Sequence, residues 1–224
     1  GSNFKAKQVL GWEPKISLQE GMKKVVQFTT KDAEKQGSER KFNTIVPAET
    51  FLKDLEAGRC FRGLPGYSKS ETQNLDLMFH ARTMMKYMRD TGSKKALELG
   101  SGHGQVSVLL RHAINDKTGE VHTVDIRDKN LAVWRRINEK YPARTPISAN
   151  INDSASESYV KFVMEDAKKI DALFVDSLHT RGRILKELYA WLPHLHEKCC
   201  IFFHDAVWCH DTVKVLIDDL MANF

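Results

Sequence analysis

The sequence predicts an α/β fold: a mostly parallel sheet with helices on both faces, preceded by a helical N-terminal extension. Three observations carry this. From Lys94 onward, short apolar runs alternate with helical stretches, the pattern of repeated strand–helix units. The 224 residues are long enough for one α/β domain with a sizeable core. Hydrophobic residues at 42% and charged residues at 28% are ordinary for a soluble globular protein and exclude collagen-like repeats, coiled coil and disorder throughout.

The elements follow in order. Residues 3–45 form a polar, helix-prone extension with a turn at Gly11–Pro14 and a helix from Ser17 to about Phe28, where Ser17 and Glu20 make a capping-box pair. Residues 46–224 form the main domain, whose segment 46–92 is a helical cap. The cap holds helices Pro47–Ala57 and Thr72–Arg89 around a glycine-rich turn, with an apolar stripe through Leu77, Ala81, Met84, Met85 and Met88. Strands are expected at Ala96–Leu99, Val121–Ile126, Pro146–Ile151, Ala172–Val175 and Cys199–Phe203. Helices are expected at Gln105–Ile114, Asn130–Lys140, Glu157–Asp166, Arg183–Leu192 and Asp211–Phe224. Five strands with nothing after the last helix imply either a five-stranded sheet or a trimmed C-terminus. Gly1-Ser2 reads as a cloning scar.

Composition narrows the class further. No apolar stretch approaches the ~20 residues of a membrane span, and the N-terminus lacks an apolar signal core. Four cysteines without a CxxC pair fit a reducing, cytoplasmic setting. Residues 1–45 hold nine Lys/Arg against five Asp/Glu, so most of the +5 net charge sits there. Aromatics are not interleaved with that charge, so a nucleic-acid surface is not expected.

In parallel sheets, ligands bind at the carboxyl ends of strands near the switch point. Leu97-Glu98-Leu99-Gly100-Ser101-Gly102-His103-Gly104-Gln105 joins the first strand to its helix there. A dinucleotide fingerprint requires glycine at position 105, which is Gln. An acid two places before the first glycine also favours a ligand carrying positive charge over NAD. Asp125 ends the second strand, where a carboxylate can accept both ribose hydroxyls of an adenosine.

The run E-x-G-x-G-x-G resembles motif I of class I S-adenosylmethionine-dependent methyltransferases. That resemblance implies a Rossmann-like class I methyltransferase fold and S-adenosylmethionine as cofactor. Glu98, Gly100, Ser101 and Gly102 would line the methionine part. Asp125 with Ile126 would take the ribose side, and Asp153 and Ser154 the adenine.

The fourth strand ends at Asp176-Ser177-Leu178-His179 and the fifth at His204-Asp205. Neighbouring strands lie ~4.8 Å apart, so if these two pair, Asp176, His204 and Asp205 meet at one rim. Such an oxygen-rich set suits a divalent cation, Mg²⁺ or Mn²⁺. D-x-x-H on one strand end and H-D on the next resemble the metal-dependent sugar O-methyltransferases of the macrocin/mycinamicin type, which carry D-x-x-H and then an acidic pair, over Lys94 to about Val207. On that resemblance Asp176 and Asp205 bind the metal, His204 stands where the family has Glu or His, and His179 is the general base. The substrate it implies is a carbohydrate hydroxyl.

Val9–Met22 resembles the C-terminal tail of nucleotide-sugar epimerases and dehydratases, which implies a fused or associated sugar-modifying or glycosyl-transfer module. A homo-oligomer is a further expectation. Phe61–Ser70, with Tyr67, is the expected lid. Two readings compete: an O-methyltransferase for a catechol-like vicinal diol, with Phe61, Tyr67 and Trp208 as aromatic gatekeepers, and a non-catalytic nucleotide-binding module.

Overall fold

The computed structural model describes residues 45–63, 75–128, 131–206 and 209–223. The Ser17–Phe28 helix, the epimerase-like segment, most of the expected lid including Tyr67, and Trp208 lie outside the described residues.

Two helices come first, α1 (Ala48–Glu56) and α2 (Leu75–Asp90). There follow β1 (Lys95–Leu99), α3 (Gln105–Ile114), β2 (Glu120–Asp125), α4 (Leu131–Lys140), β3 (Ile147–Ile151) and α5 (Glu157–Val163). The second half is β4 (Ile170–Val175), α6 (Arg181–Trp191), β5 (Leu195–Phe203) and α7 (Val215–Asn223). All pairings are parallel, in the order β3-β2-β1-β4-β5. The order turns back on itself between β1 and β4, which creates a crevice at their carboxyl ends. This is the architecture expected from the alternating pattern.

Strand alternation sends successive residues to opposite faces, and each face has its own core. Ala96, Val121, Ala172 and Phe174 pack with Phe51, Leu55, Met85, Met88 and Leu109, so α1, α2 and α3 cover that side. Leu97, Leu99, Val124, Leu173 and Val175 pack with Tyr159, Ile184, Leu188, Trp191 and Leu216 from α5, α6 and α7 on the other. The methionine stripe of α2 is core: Met84, Met85 and Met88 are buried, while Phe79 and Tyr87 on the opposite side are exposed. The Lys140 ammonium fastens the turn after α1 by donating to the carbonyls of Arg59, Cys60 and Arg62.

Three boundaries differ from expectation. The fifth strand starts at Leu195, because a ladder with β4 recruits the polar residues His196, Glu197 and Lys198 that no apolar pattern marks. The helix from Glu157 stops at Val163, and Lys95 Nζ donates to that residue's carbonyl at 2.6 Å. The last helix opens with a π-helical turn, His210–Lys214. Within it the Thr212 hydroxyl donates to the carbonyls of Cys209 (3.1 Å) and His179 (3.0 Å).

Candidate active site at the carboxyl edge of the sheet

Each parallel pair extends its ladder by one bond past the strand end. Gly100 N–H donates to Val124 O (2.8 Å), Asn152 N–H to Asp125 O (3.1 Å), Asp176 N–H to Leu99 O (2.8 Å) and His204 N–H to Val175 O (3.0 Å). These bonds fix the first residue of the exit loops of β1, β3, β4 and β5, Asp176 among them, to the rigid sheet. Above them lies a cavity of about 800 Å³, lined by Gly100, Gly102 and His103 from the first loop and Asp125, Ile126 and Arg127 from the second. Asn152 and Ser154 complete it from the third exit and Asp176, Ser177, Leu178, His179 and Arg183 from the fourth. That volume suits a nucleoside-sized ligand.

The three glycines of the first loop have different duties. All three have positive φ, which non-glycine residues adopt only at a cost. A Cβ at Gly100 would stand 2.1 Å from the Asp176 carbonyl oxygen, and one at Gly104 would stand 2.8 Å from Trp134 Cδ1. Those two glycines allow close packing. Nothing lies within 4 Å of a Cβ built on Gly102, which faces open space in the cavity wall. It is the position where a ligand can approach the backbone.

Asp125 stands at the end of β2 as expected. Its Oδ1 accepts the Arg127 N–H (2.9 Å) and its Oδ2 the Gly102 N–H (3.2 Å). The carboxylate is therefore held in place, with lone pairs remaining for two hydroxyls.

Three of the expected cofactor residues do not line the cavity. Glu98 is 1% exposed and forms no part of the cavity wall. Strand alternation turns it towards α3, where it accepts the Ser107 hydroxyl, itself held by Trp134 Nε1 at 2.8 Å. Burial pushes its carboxyl up to about 8, with the nearby acids Asp176 and Asp125 adding to the rise. At neutral pH it is mostly uncharged, so it gives no electrostatic reason for the loop to prefer a cationic ligand. Ser101 is occupied in the turn, its N–H donating to Val124 O and its carbonyl accepting from Gly104, and it is not in the wall. Asp153 is likewise not in the wall. Arg183 Nη2 (2.7 Å) and Lys186 Nζ (3.2 Å) take its carboxylate, and these donors hold it well below the usual carboxylate range. Ser154, Asp125, Ile126, Gly100 and Gly102 do line the cavity.

The four residues at the ends of β4 and β5 converge. One donor atom from each of Asp176, His179, His204 and Asp205 lies within 4.8 Å of the others. His204 Nδ1 is 3.1 Å from both Asp176 Oδ1 and Asp205 Oδ1. His179 Nε2 is 3.2 Å from Asp176 Oδ1 and 3.8 Å from Asp205 Oδ2, yet meets hydrogen-bond geometry with neither. Asp205 adopts φ +55°, a left-handed conformation that aspartate tolerates. Burial opposes ionisation of Asp176, but His179 and His204 outweigh it and lower its pKa. Asp176 in turn raises that of His179, against partial burial.

Sequence reasoning missed His103, Arg127, Ser177, Leu178 and Arg183 in the wall. Beneath them it missed Glu187. All four cysteines are free, as their spacing implied, and no helix among the described residues is long and apolar enough to cross a membrane.

Residues 97–206 match a family model described as a methyltransferase domain. The match runs from β1 through Asp205 and takes in the glycine loop, Asp125 and all four clustered residues. The matched residues, just under half of the chain, are similar to a methyltransferase domain, and the sheet and helices have the class I architecture of S-adenosylmethionine-dependent enzymes.

Solved structures agree on the architecture. The MycE methyltransferase of the mycinamycin biosynthetic pathway, in complex with Mg and SAH, is 17% identical with a TM-score of 0.50, covering 76% of this chain and 47% of MycE. The SAH-bound Podospora anserina methyltransferase PaMTH1 is 14% identical with a TM-score of 0.50, covering 87% of this chain and 74% of that one. A Staphylococcus aureus chain assigned to caffeoyl-CoA O-methylation is 16% identical with a TM-score of 0.46. This chain spans only 58% of its length. No curated protein matches the sequence.

Proposed function

We propose that the protein transfers a methyl group from S-adenosylmethionine to a hydroxyl of a carbohydrate. A divalent cation, Mg²⁺ or Mn²⁺, would be held by Asp176, His204 and Asp205. The observation that carries this reading is the convergence of those residues with His179 at the edge of a cavity that also presents Asp125 and Gly102.

The residues suit both groups. Two carboxylates and imidazole nitrogens around one point are the donor chemistry of Mg²⁺ or Mn²⁺, and they leave room for substrate oxygens. On the donor side, the open face of Gly102 and the anchored Asp125 carboxylate provide the cradle of an adenosine ligand.

The chain's own residues then have these tasks. Asp125 orients the ribose and Ser154 with Asn152 closes the adenine side. Gly102 lets the backbone approach the methionine part. Asp176 and Asp205 fix the acceptor end of the cavity. His179 removes the proton of the reacting hydroxyl at Nε2 and is made more basic by Asp176. S-adenosylmethionine supplies an electrophilic methyl group, and the cation, when bound, stabilises negative charge on the acceptor oxygen. Much of the acceleration comes from holding the two reactants in line.

Among the described residues the cavity carries no Phe, Tyr or Trp, and Phe61 is buried against the His103 ring instead. What supports a sugar over a catechol is the resemblance of residues 94–207 to the macrocin/mycinamicin type. Incubating the protein with labelled S-adenosylmethionine and panels of glycosides and catechols, with and without EDTA, tests this. The expected result is EDTA-sensitive labelling of glycosides, absent in His179→Ala. Labelling confined to catechols, or full activity in EDTA, refutes it.

A further inference from the structure

Behind the cavity lies a buried polar network centred on Glu187 of α6. This carboxylate is 1% exposed and accepts three donors. The Ser154 hydroxyl and Arg183 Nε (3.0 Å) donate to Oε1, and the Ser177 hydroxyl donates to Oε2 at 2.6 Å. Arg183 Nη2 also reaches Ser154 Oγ (2.5 Å) and Asp153 Oδ1 (2.7 Å), and Trp191 Nε1 donates to the Ser154 carbonyl at 2.8 Å. Ser154 belongs to the exit of β3, on the side given to the methyl donor. Ser177 belongs to the exit of β4, between Asp176 and His179. One carboxylate thus ties together the two halves of the cavity wall without lining the cavity.

A buried carboxylate is costly unless its partners compensate. Glu187 stands beside the apolar stripe of Ile184, Leu188 and Trp191, where an apolar residue would pack without that cost. Its three donors all come from the cavity wall, and two come from loops that no other described hydrogen bond joins to one acceptor. We infer that Glu187 is a positioning residue for methyl transfer. It holds Ser154 and Ser177, and through them the donor-side loop and the Asp176–His179 loop, in one register. The inference rests on the function proposed above.

The test uses the full chain with S-adenosylhomocysteine and MnCl₂ as probes. In Glu187→Ala, the Kd for S-adenosylhomocysteine and the Mn²⁺ activation constant should both rise about tenfold, and kcat should fall by a similar factor, as when partners that orient ligating groups are removed. Glu187→Gln should recover much of both, since its amide can still meet Ser154 and Ser177. Ser177→Ala, which cuts one arm and spares the fold, should shift the Mn²⁺ constant and kcat while S-adenosylhomocysteine affinity stays within twofold. The inference is overturned if a folded Glu187→Ala keeps both constants within twofold of wild type. It is equally overturned if Ser177→Ala moves only the donor affinity, which decides the matter should Glu187→Ala not fold. A wild-type chain that binds no S-adenosylhomocysteine sinks the functional reading instead, a result separate from both.

Discussion

Replacing Glu98 by Gln isolates a single buried charge. In the folded chain its carboxyl titrates at about 8 rather than the ordinary 4.5. The folded state therefore keeps a proton that the unfolded chain gives up between those values, and stability drops as pH rises through that interval. The full difference corresponds to roughly 5 kcal/mol, an upper figure because a relaxing site admits water. Below pH 4.5 the acid is protonated in both states and its titration costs nothing. Glutamine keeps the shape and the bond from Ser107 and cannot ionise. Urea unfolding of the ligand-free protein at pH 5 and pH 9 measures the effect. Wild type should lose several kcal/mol relative to Glu98→Gln on going to pH 9, and the two should differ little at pH 5. Parallel pH profiles for the two proteins would refute the placement of an ionisable, desolvated acid at this position.

Other perturbations separate the parts of the site. Gly102→Ala should destabilise the fold by only about 1–2 kcal/mol, the cost of a left-handed alanine, yet weaken S-adenosylhomocysteine at least tenfold in calorimetry. Gly100→Ala forces a methyl group against the Asp176 carbonyl and should lower the melting temperature clearly more than Gly102→Ala does. Asp125→Ala removes a charged acceptor worth about 1.5–3 kcal/mol. It should weaken S-adenosylhomocysteine by 10–100-fold while Mn²⁺ affinity holds, and the converse pattern would misplace the ribose. Because Asp176 raises the pKa of His179, protons compete with a cation at the cluster. Mn²⁺ affinity should therefore increase with pH through neutrality, with proton release visible when calorimetry is repeated in buffers of different ionisation enthalpy.

What could be read from the sequence follows from how each feature is encoded. Strands β1 to β4 were legible because they are short apolar runs whose neighbours are helical. The start of β5 was not, since His196, Glu197 and Lys198 join the ladder through backbone alone. Asp125, Asp176 and Asp205 were legible because residues at or just past a strand's carboxyl end have a known place at the sheet's edge, and the parallel register does the rest. Glu98 misled for the same reason of alternation: its position was right, but its side chain points towards α3. Arg183 and Glu187 carried only a faint signal, a basic and an acidic residue four apart beside the stripe of Ile184, Leu188 and Trp191. Such pairs are common on solvent-facing helices. Only the packing of α6 under two exit loops distinguishes this one.

The cation is the point on which the proposed chemistry turns, and titrating the protein with MnCl₂ in the presence of S-adenosylhomocysteine addresses it directly. Wild type should take up one Mn²⁺ per chain, and Asp176→Asn and Asp205→Asn should each abolish that binding while still holding the cofactor product. Uptake that survives both substitutions, or none in wild type that has bound S-adenosylhomocysteine, would contradict a metal held between the fourth and fifth strands.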